Sequence, residues 1–406
     1  MFDVTLTFSL DRTAVFFVLN VAILGIAALV ASFRYLEVYD FKPKIPYYPT
    51  LAIFIVSMLL IPMVQDWLSF LFLWEIMTLA SYFLIIYDWP EESVKKAGWK
   101  YFVTMHLFDT SPLILAIALY YSAYGTFNFG ATTGTGYSDA IVALFLLGFA
   151  AKAGLFPLHF WLPDAHPAAP SPVSALMSGA MVELGLYGTI RVLDAVEWSV
   201  SSWIIYAIGA MAVLSMLAAI LSYALQDDVK RLFAWSTIDN MGWMYLLIMA
   251  GLLGVTGVDK SINYYVVAHG LAKAAAFIST GALLYVFGTR SLEKTKGMMN
   301  TDSLTAGLMI ASIFALEGVP PFNLFLSKLD VIKTLLAVSP ALAYFTAIEW
   351  VIAFILFLRV VHAYIISDGR PEAKRQLAGS IALSVVILLV LSLVSQFICD
   401  YIWVRW

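Results

Sequence analysis

The run Lys152-Ala-Gly-Leu-Phe-Pro157 stands inside an apolar stretch, residues 140–162, that would otherwise read as one uninterrupted membrane helix. A second run, Glu317-Gly-Val-Pro-Pro-Phe322, interrupts the stretch 303–335 in the same way, five apolar segments later. Glycine and proline free backbone groups that lipid cannot satisfy, so such breaks persist only where protein or water takes up the hydrogen bonds. Paired breaks in two halves of one chain point to repeated units around a hydrated path. Five helices per repeat is an odd number of crossings, which requires the second repeat to run inverted relative to the first.

Outward from these breaks the whole chain is apolar. Of 406 residues, 62% are hydrophobic and 12% charged, about half the charged fraction of a soluble domain, which excludes a soluble enzyme. At about 20 apolar residues per crossing, the runs 13–33, 48–64, 67–87, 101–123, 140–162, 173–193, 202–224, 232–253, 262–287, 303–335, 341–366 and 378–401 predict an all-α polytopic membrane protein of twelve helices. Repeat one is expected at 48–193 and repeat two at 202–366, with 13–33 and 378–401 peripheral, all within a single membrane domain, 1–406. Connections are short and punctuated by Pro43, Pro46 and Pro49, by Asp88 to Glu92, and by Gly130 to Gly136. No basic region precedes the first apolar stretch, so it is expected to stay as a spanning helix.

Lysine and arginine divide unequally between the two sides. The odd-numbered connections hold fourteen, among them Lys42, Lys44, Lys95, Lys96, Lys230, Arg290 and Arg375. The opposite side holds Arg12, Arg191, Lys260, Lys333 and Arg405. That bias predicts odd connections in the cytoplasm and both termini outside the cell membrane. A net charge of −4 without a basic stripe excludes nucleic-acid binding. A single cysteine, Cys399, makes no internal disulfide and holds neither an iron–sulfur cluster nor a structural zinc. No Walker or dinucleotide fingerprint is present, and His159 and His166 flank a turn without metal-ligand spacing. No cofactor is therefore expected in this chain, and its partners are expected to be the lipid bilayer and other membrane proteins.

Ten charges remain inside apolar segments: Lys152, Lys273, Lys328, Arg359, Glu75, Asp109, Glu183, Asp239, Glu317 and Glu349. Each costs roughly 2.5–3.5 kcal/mol at a helix centre, so such residues pair or line a hydrated path. His269 and Lys273, spaced i, i+4, share one helix face. A lysine beside a movable carboxylate can change protonation state without large motion. Glu75 with Lys152 is the candidate for that switch, the alternative being a permanent ion pair that staples two helices.

The run Lys152-Ala-Gly-Leu-Phe-Pro-Leu-His-Phe-Trp-Leu-Pro-Asp-Ala-His166, followed by Ala169-Pro-Ser-Pro-Val-Ser-Ala-Leu176, resembles the signature of the antiporter-like proton-translocating subunits. These occur in respiratory complex I, in multisubunit cation/proton antiporters, and in membrane-bound hydrogenases and sulfur reductases. Trp74-Glu75, Asp228-Val-Lys-Arg-Leu-Phe-Ala-Trp-Ser-Thr237, Ala268-His-Gly-Leu-Ala-Lys273 and Gly318-Val-Pro-Pro-Phe-Asn323 with Lys328 follow in the family's order. The resemblance covers essentially the whole chain. It implies that Glu75 is the glutamate of the first half-channel, Lys152 the lysine of the broken helix, and His269 the bridging histidine. Lys273 would be the central lysine of the second half and Lys328 the ionisable group of the second broken helix. Asp109, Asp239 and Glu317 are secondary candidates.

Three departures from the family stand out. Members usually have fourteen helices, and the match begins at what resembles the third. Glu183 stands where many members carry a lysine linking the half-channels, so it is expected either to clamp Lys152 and Lys273 or to relay protons with the opposite charge logic. Glu317 is not the residue expected beside the second break. The implied function is translocation of protons, or exchange of H⁺ and Na⁺, by a subunit without redox chemistry of its own. Small antiporter-type subunits and a redox module would be its partners, in an assembly of the membrane-bound hydrogenase, sulfur-reductase or complex I type. The alternatives are a cation/proton antiporter subunit without a redox partner and a transport-inactive scaffold.

Overall fold

The computed structural model describes residues 7–39, 46–130 and 139–405. Lys42, Pro43 and Lys44, and residues 131–136 of the third connection, lie outside the described residues. In chain order the helices are α1 (Arg12–Tyr35), α2 (Tyr47–Leu60), α3 (Trp67–Ile85), α4 (Glu92–Thr104), α5 (Ser111–Tyr124), α6 (Asp139–Ala153), α7 (Leu162–Ala168), α8 (Ser171–Leu176), α9 (Val182–Ala195), α10 (Ser202–Tyr223), α11 (Val229–Leu252), α12 (Val258–Phe287), α13 (Ser303–Glu317), α14 (Leu324–Val338), α15 (Pro340–Ile365) and α16 (Gly379–Arg405). Extended structure among the described residues is confined to isolated bridges such as Phe8 with Val64 and Asp66 with Asn128.

Helix ends follow local chemistry. Asp11, Asp66, Asp228 and Asp302 each accept a hydrogen bond from a backbone N–H in the first turn of α1, α3, α11 and α13, satisfying donors that the helix itself cannot. At the first break α6 stops at Ala153, Gly154 takes a left-handed φ of +71°, the Phe156 N–H turns to Ser215 Oγ, and Pro157 has no N–H with which to continue the helix. At the second, α13 stops at Glu317 and Gly318 at φ +68° caps it, with Pro320 and Pro321 beyond. Both interruptions therefore fall where glycine and proline place them. Two further irregularities are not glycine–proline breaks: π-helical turns at Met105–Thr110, joining α4 to α5, and at Met177–Met181, which contains Gly179 and joins α8 to α9.

Among the described residues, nine helical stretches are long and apolar enough to cross a membrane, or ten if the pair Glu293–Asn300 and Ser303–Glu317, bent by 110°, counts as one. The difference from the twelve expected segments lies in three places. The apolar stretch Tyr47–Met63 is short. α11 is 24 residues long but carries Ser236, Thr237, Asp239 and Asn240, and falls short by composition. The run 303–335 is divided into α13 and α14, each of 15 residues.

α12 occupies the centre, packed against α1, α8, α11, α13, α14 and α16. Its small residues let neighbouring backbones approach closely, the usual device where lipid offers no hydrophobic drive for helix association. A methyl group on Gly179 of the second π turn would lie 2.9 Å from the Gly270 carbonyl oxygen of α12, so only hydrogen fits there. α10, α15 and α16 form the outer wall and present Tyr206, Leu221, Ile348, Ile355 and Phe397 outward. Such a surface would be an aggregation liability in water; in a bilayer it is the solvated face.

Candidate functional site

In the first half of the chain three elements converge one residue before the first break. Lys152, fully buried near the end of α6, has its Nζ 3.0 Å from Asp109 Oδ2 and donates to Thr78 Oγ1 at 2.6 Å. Its ammonium also lies 5.3 Å from the centre of the Trp74 ring, over the face. Trp74 Nε1 in turn donates to both Asp109 oxygens at 3.0 Å. Asp109 sits in the π turn, where the regular i→i−4 ladder is locally widened.

The expected Glu75–Lys152 pair is not formed: the partner of Lys152 is Asp109. Helix geometry gives the reason. Trp74 and Thr78 are four residues apart and share the face of α3 that meets Lys152, whereas Glu75 is rotated about 100° from Trp74. Glu75 instead accepts from Thr110 Oγ1 at 2.5 Å, with His106 Nε2 3.7 Å away, in a partly exposed position.

The middle of the molecule holds Glu183, on the first turn of α9. Its Oε1 lies 2.7 Å from His269 Nδ1, and its Oε2 accepts from Asn20 Nδ2 at 2.6 Å. Asn20 comes from α1 and donates also to the Gly179 carbonyl. No hydrogen bond joins Glu183 to Lys152 or Lys273 among the described residues; its direct partners are His269 and Asn20, and Lys273 lies within electrostatic reach. The first break is nonetheless adjacent, because a methyl on Gly185 would lie 3.0 Å from the Ala153 nitrogen.

One turn beyond His269 on α12, Lys273 Nζ donates to the Phe233 carbonyl at 3.0 Å and closely to Ser236 Oγ. Asp239, three residues along α11, accepts from the Tyr223 hydroxyl at 2.8 Å. Lys328, on the far side of the second break, lies between two indoles, 5.3 Å from Trp243 and 5.5 Å from Trp350. Trp243 Nε1 donates to Glu349 Oε2 at 3.0 Å. Glu317 is buried with Oε2 unpartnered among the described residues and borders an apolar cavity of about 280 Å³ shared with Val319, Trp350 and Phe354. Lys273 lies within electrostatic reach of Asp239, Glu317 and Lys328, and Glu349 within reach of the same three groups.

Each half thus contains a tryptophan that donates its N–H to a buried carboxylate and offers its ring face to the lysine of a broken helix. The residues that complete these contacts, Asn20, Thr78, Ser236 and Trp243, carry no charge and escape a reading based on intramembrane charge; Glu349 is visible to such a reading but has no pattern around it. Arg359 is explained differently. Its guanidinium donates to the carbonyls of Tyr223, Ala224 and Gln226, the exposed acceptors at the end of α10. His166 is buried, stacked on Phe277 with ring centres 4.7 Å apart, and neither ring nitrogen has a hydrogen-bond partner among the described residues. No group of three His, Cys, Asp or Glu among the described residues could hold a metal ion.

Chemically, the arrangement is a set of buried groups able to accept or release a proton, several of them hydrogen-bonded to a hydroxyl or an indole N–H. A profile described as NADH:quinone oxidoreductase/Mrp antiporter, TM, matches residues 64–353. Hydrogenase-4 component B of Escherichia coli (strain K12) is 30% identical over 348 residues, covering 82% of this chain and 52% of that protein. A Na(+)/H(+) antiporter subunit of Alkalihalophilus pseudofirmus is 28% identical over 329 residues, covering 79% of this chain and 65% of that protein. This chain therefore spans about half to two thirds of the length of these relatives. In fold it is similar to a chain of the membrane-bound sulfane sulfur reductase, an archaeal respiratory membrane complex, with a TM-score of 0.83 at 24% identity over 98% of this chain and 82% of that one. The protein is a multi-pass membrane protein that belongs to the NADH:quinone oxidoreductase/Mrp antiporter transmembrane family.

Proposed function

We propose that this chain is an antiporter-like subunit that translocates protons, or exchanges H⁺ for Na⁺, within a redox-driven respiratory complex of the membrane-bound hydrogenase, sulfur-reductase or complex I type. The observation that carries the reading is the buried series Lys152–Asp109, Glu183–His269, Lys273–Ser236 and Lys328 with Glu317, running from one broken helix to the other. Buried charges of this density are costly in a bilayer and are retained where they serve a path. Glu75, partly exposed beside His106, collects the ion. Lys152 with Asp109 forms the first exchange pair, Glu183 with His269 joins the halves, and Lys273, Asp239, Glu317 and Lys328 form the second.

Twelve crossings in two inverted repeats, 48–193 and 202–366, flanked by 13–33 and 378–401, carry this series across the cell membrane with both termini outside. The chain supplies no redox centre, and electrons pass through a separate module; other membrane subunits, including small antiporter-type ones, flank it. The sequence likeness to a Na(+)/H(+) antiporter subunit favours a second reading, the same ion path in a complex without a redox partner. Purifying the assembled complex and identifying its other subunits decides between the two. Replacing Lys152 by alanine tests both: ion uptake by reconstituted complex should fall while subunit composition is kept, and unchanged uptake would refute the role.

A further inference from the structure

A cavity of about 480 Å³ lies between the first turns of α12, the length of α14 beyond the second break, and Gln396 of α16. Under the proposed topology this is the outer side. α14 lines it with Leu326, Ser327, Asp330 and Lys333, which recur at helical spacing on one face. That face is graded along its axis. Leu326, 48% exposed, stands at the end nearest the break, in the apolar depth of the bilayer. Lys333 stands seven residues further on, about 10.5 Å nearer the membrane surface. Apolar below and cationic above, the lining has the polarity of an amphiphile.

Gly257 opens α12 at φ +79° and no side chain caps the helix. The first-turn N–H groups have no intrahelical acceptor, so this end carries the positive pole of a 30-residue helix beside the cavity that Gly257 lines. Asp259 of the same turn borders a separate cavity with Asp194. A second feature is independent of the helix end: Ser327 lines the cavity, is 6% exposed, and its hydroxyl has no hydrogen-bond partner among the described residues. The charges of the lining are Lys260, Lys333 and Asp330. Asp330 already accepts from the Ser261 hydroxyl. Behind Lys260, 3.8 Å away, is Asp400, which also accepts from Tyr264 and Gln396. Lys333 is therefore the charge left without a counter-ion among the described residues.

We propose that this cavity seats a phospholipid, its phosphate held by Lys333, Lys260 and the first-turn N–H groups of α12, and an acyl chain lying along Leu326. Ammonium groups and free helix N–H groups are the donors that recognise a phosphate oxygen. Ser327, six residues before Lys333 and about 9 Å deeper along the axis, donates to the oxygens that join glycerol to the acyl chains. A soluble phosphate uses only the upper half of the site and leaves Ser327 and Leu326 without a role. The bound lipid ties α14 to α12 and α16 beside Lys328, on the second broken helix. The site needs the membrane placement of the chain and not ion translocation.

The test uses the assembled complex in dodecyl maltoside, a detergent without phosphate, to which phosphatidylglycerol bearing a diazirine on one acyl chain is added at subsaturating amounts. After irradiation the cross-linked peptides are identified by mass spectrometry. The diacylglycerol with the same chains serves as the lipid without a phosphate. Cross-links around Leu326 are expected from phosphatidylglycerol and not from diacylglycerol. They should fall about fivefold in Lys333→Gln, the loss of one lysine at an anionic headgroup. Lys260→Gln, expected to act in the same direction, serves if that variant does not assemble. Equal cross-linking by diacylglycerol, or yields unchanged in the assembled variants, would overturn the proposal. If Leu326 carries no cross-link while inorganic phosphate protects Lys333 from an amine-reactive reagent, the site takes a soluble anion and the lipid is refuted. Neither cross-link nor protection refutes the site itself.

Discussion

Asp109 and Lys152 give the sharpest division between a structural and a functional reading of the buried charges. At 3.0 Å two unit charges attract by about 5.5 kcal/mol at an effective dielectric of about 20. Desolvation of the two ions offsets this by several kcal/mol each. The net worth of the pair is therefore small, but the cost of breaking it is not. Asp109→Asn leaves the Lys152 ammonium with Thr78 Oγ1 and the Trp74 ring, and removal of one partner of a buried pair costs about 3–5 kcal/mol. Lys152→Met should destabilise similarly by stranding Asp109 with the Trp74 N–H. The double variant Asp109→Asn/Lys152→Met removes both charges at once, and apolar or neutral replacement of a whole buried pair is about neutral or stabilising by 1–4 kcal/mol. Thermal unfolding of the purified complex and ion uptake in proteoliposomes are measured for all four forms. The expected pattern is lower thermal stability in each single variant, stability restored in the double variant, and uptake lost in all three. Wild-type uptake by the stable double variant would refute the assignment of the pair to the ion path, and undiminished stability in both single variants would refute the geometry.

Lys152→Arg should not support uptake, because a guanidinium stays protonated and cannot exchange at neutral pH; uptake at the wild-type rate would contradict a protonation role. Trp74→Phe and Trp243→Phe keep a ring face beneath the lysine but delete the N–H donated to Asp109 or Glu349, a hydrogen bond to a charged group worth about 1.5–3 kcal/mol; each should lower both uptake and thermal stability, and an unaffected pair would show the indoles to be packing alone. Glu183→Asp should retain part of the uptake that Glu183→Gln loses, measured against equal complex yield, and equal activity of the two would exclude a proton-exchanging carboxylate. For topology, Gly297 and Gly369 are poor label sites, since a side chain at Gly297 would collide with the Gly369 carbonyl oxygen. Cysteine at the exposed positions Glu372 and Ser199 should instead react from the cytoplasmic and outer sides respectively, and the reverse pattern would undo the orientation.

Features governed by local chain chemistry are legible in the sequence. Gly154 with Pro157, and Gly318 with Pro320, break their helices where they stand because left-handed φ and a missing N–H are properties of the residues themselves. Intramembrane charges are likewise conspicuous, since each is costly wherever the chain folds. Their partners are not. Which carboxylate meets Lys152 depends on a rotation of about 100° between neighbours on α3 and on a π turn at Met105–Thr110 that itself contains neither glycine nor proline. Asn20 meets Glu183 across 163 residues of sequence, and an uncharged residue in an apolar segment carries no mark of that contact. The count of crossings differs for a related reason: α11, marked in the sequence by the run 232–253, carries Ser236, Thr237, Asp239 and Asn240 and is too polar to count among the nine apolar spans of the described residues.

The central claim is that the buried series conducts, and the most direct measurement is proton or Na⁺ flux through the purified, reconstituted complex, driven by its own reaction or by an imposed gradient, with Lys273→Ala compared with wild type at matched subunit composition. Lys273 is the group that links the Glu183–His269 cluster to the second broken helix, bonded to Phe233 and Ser236. The account predicts that flux is lost while the complex remains assembled and any partner reaction continues uncoupled. Flux at the wild-type rate through an assembled Lys273→Ala complex would contradict it.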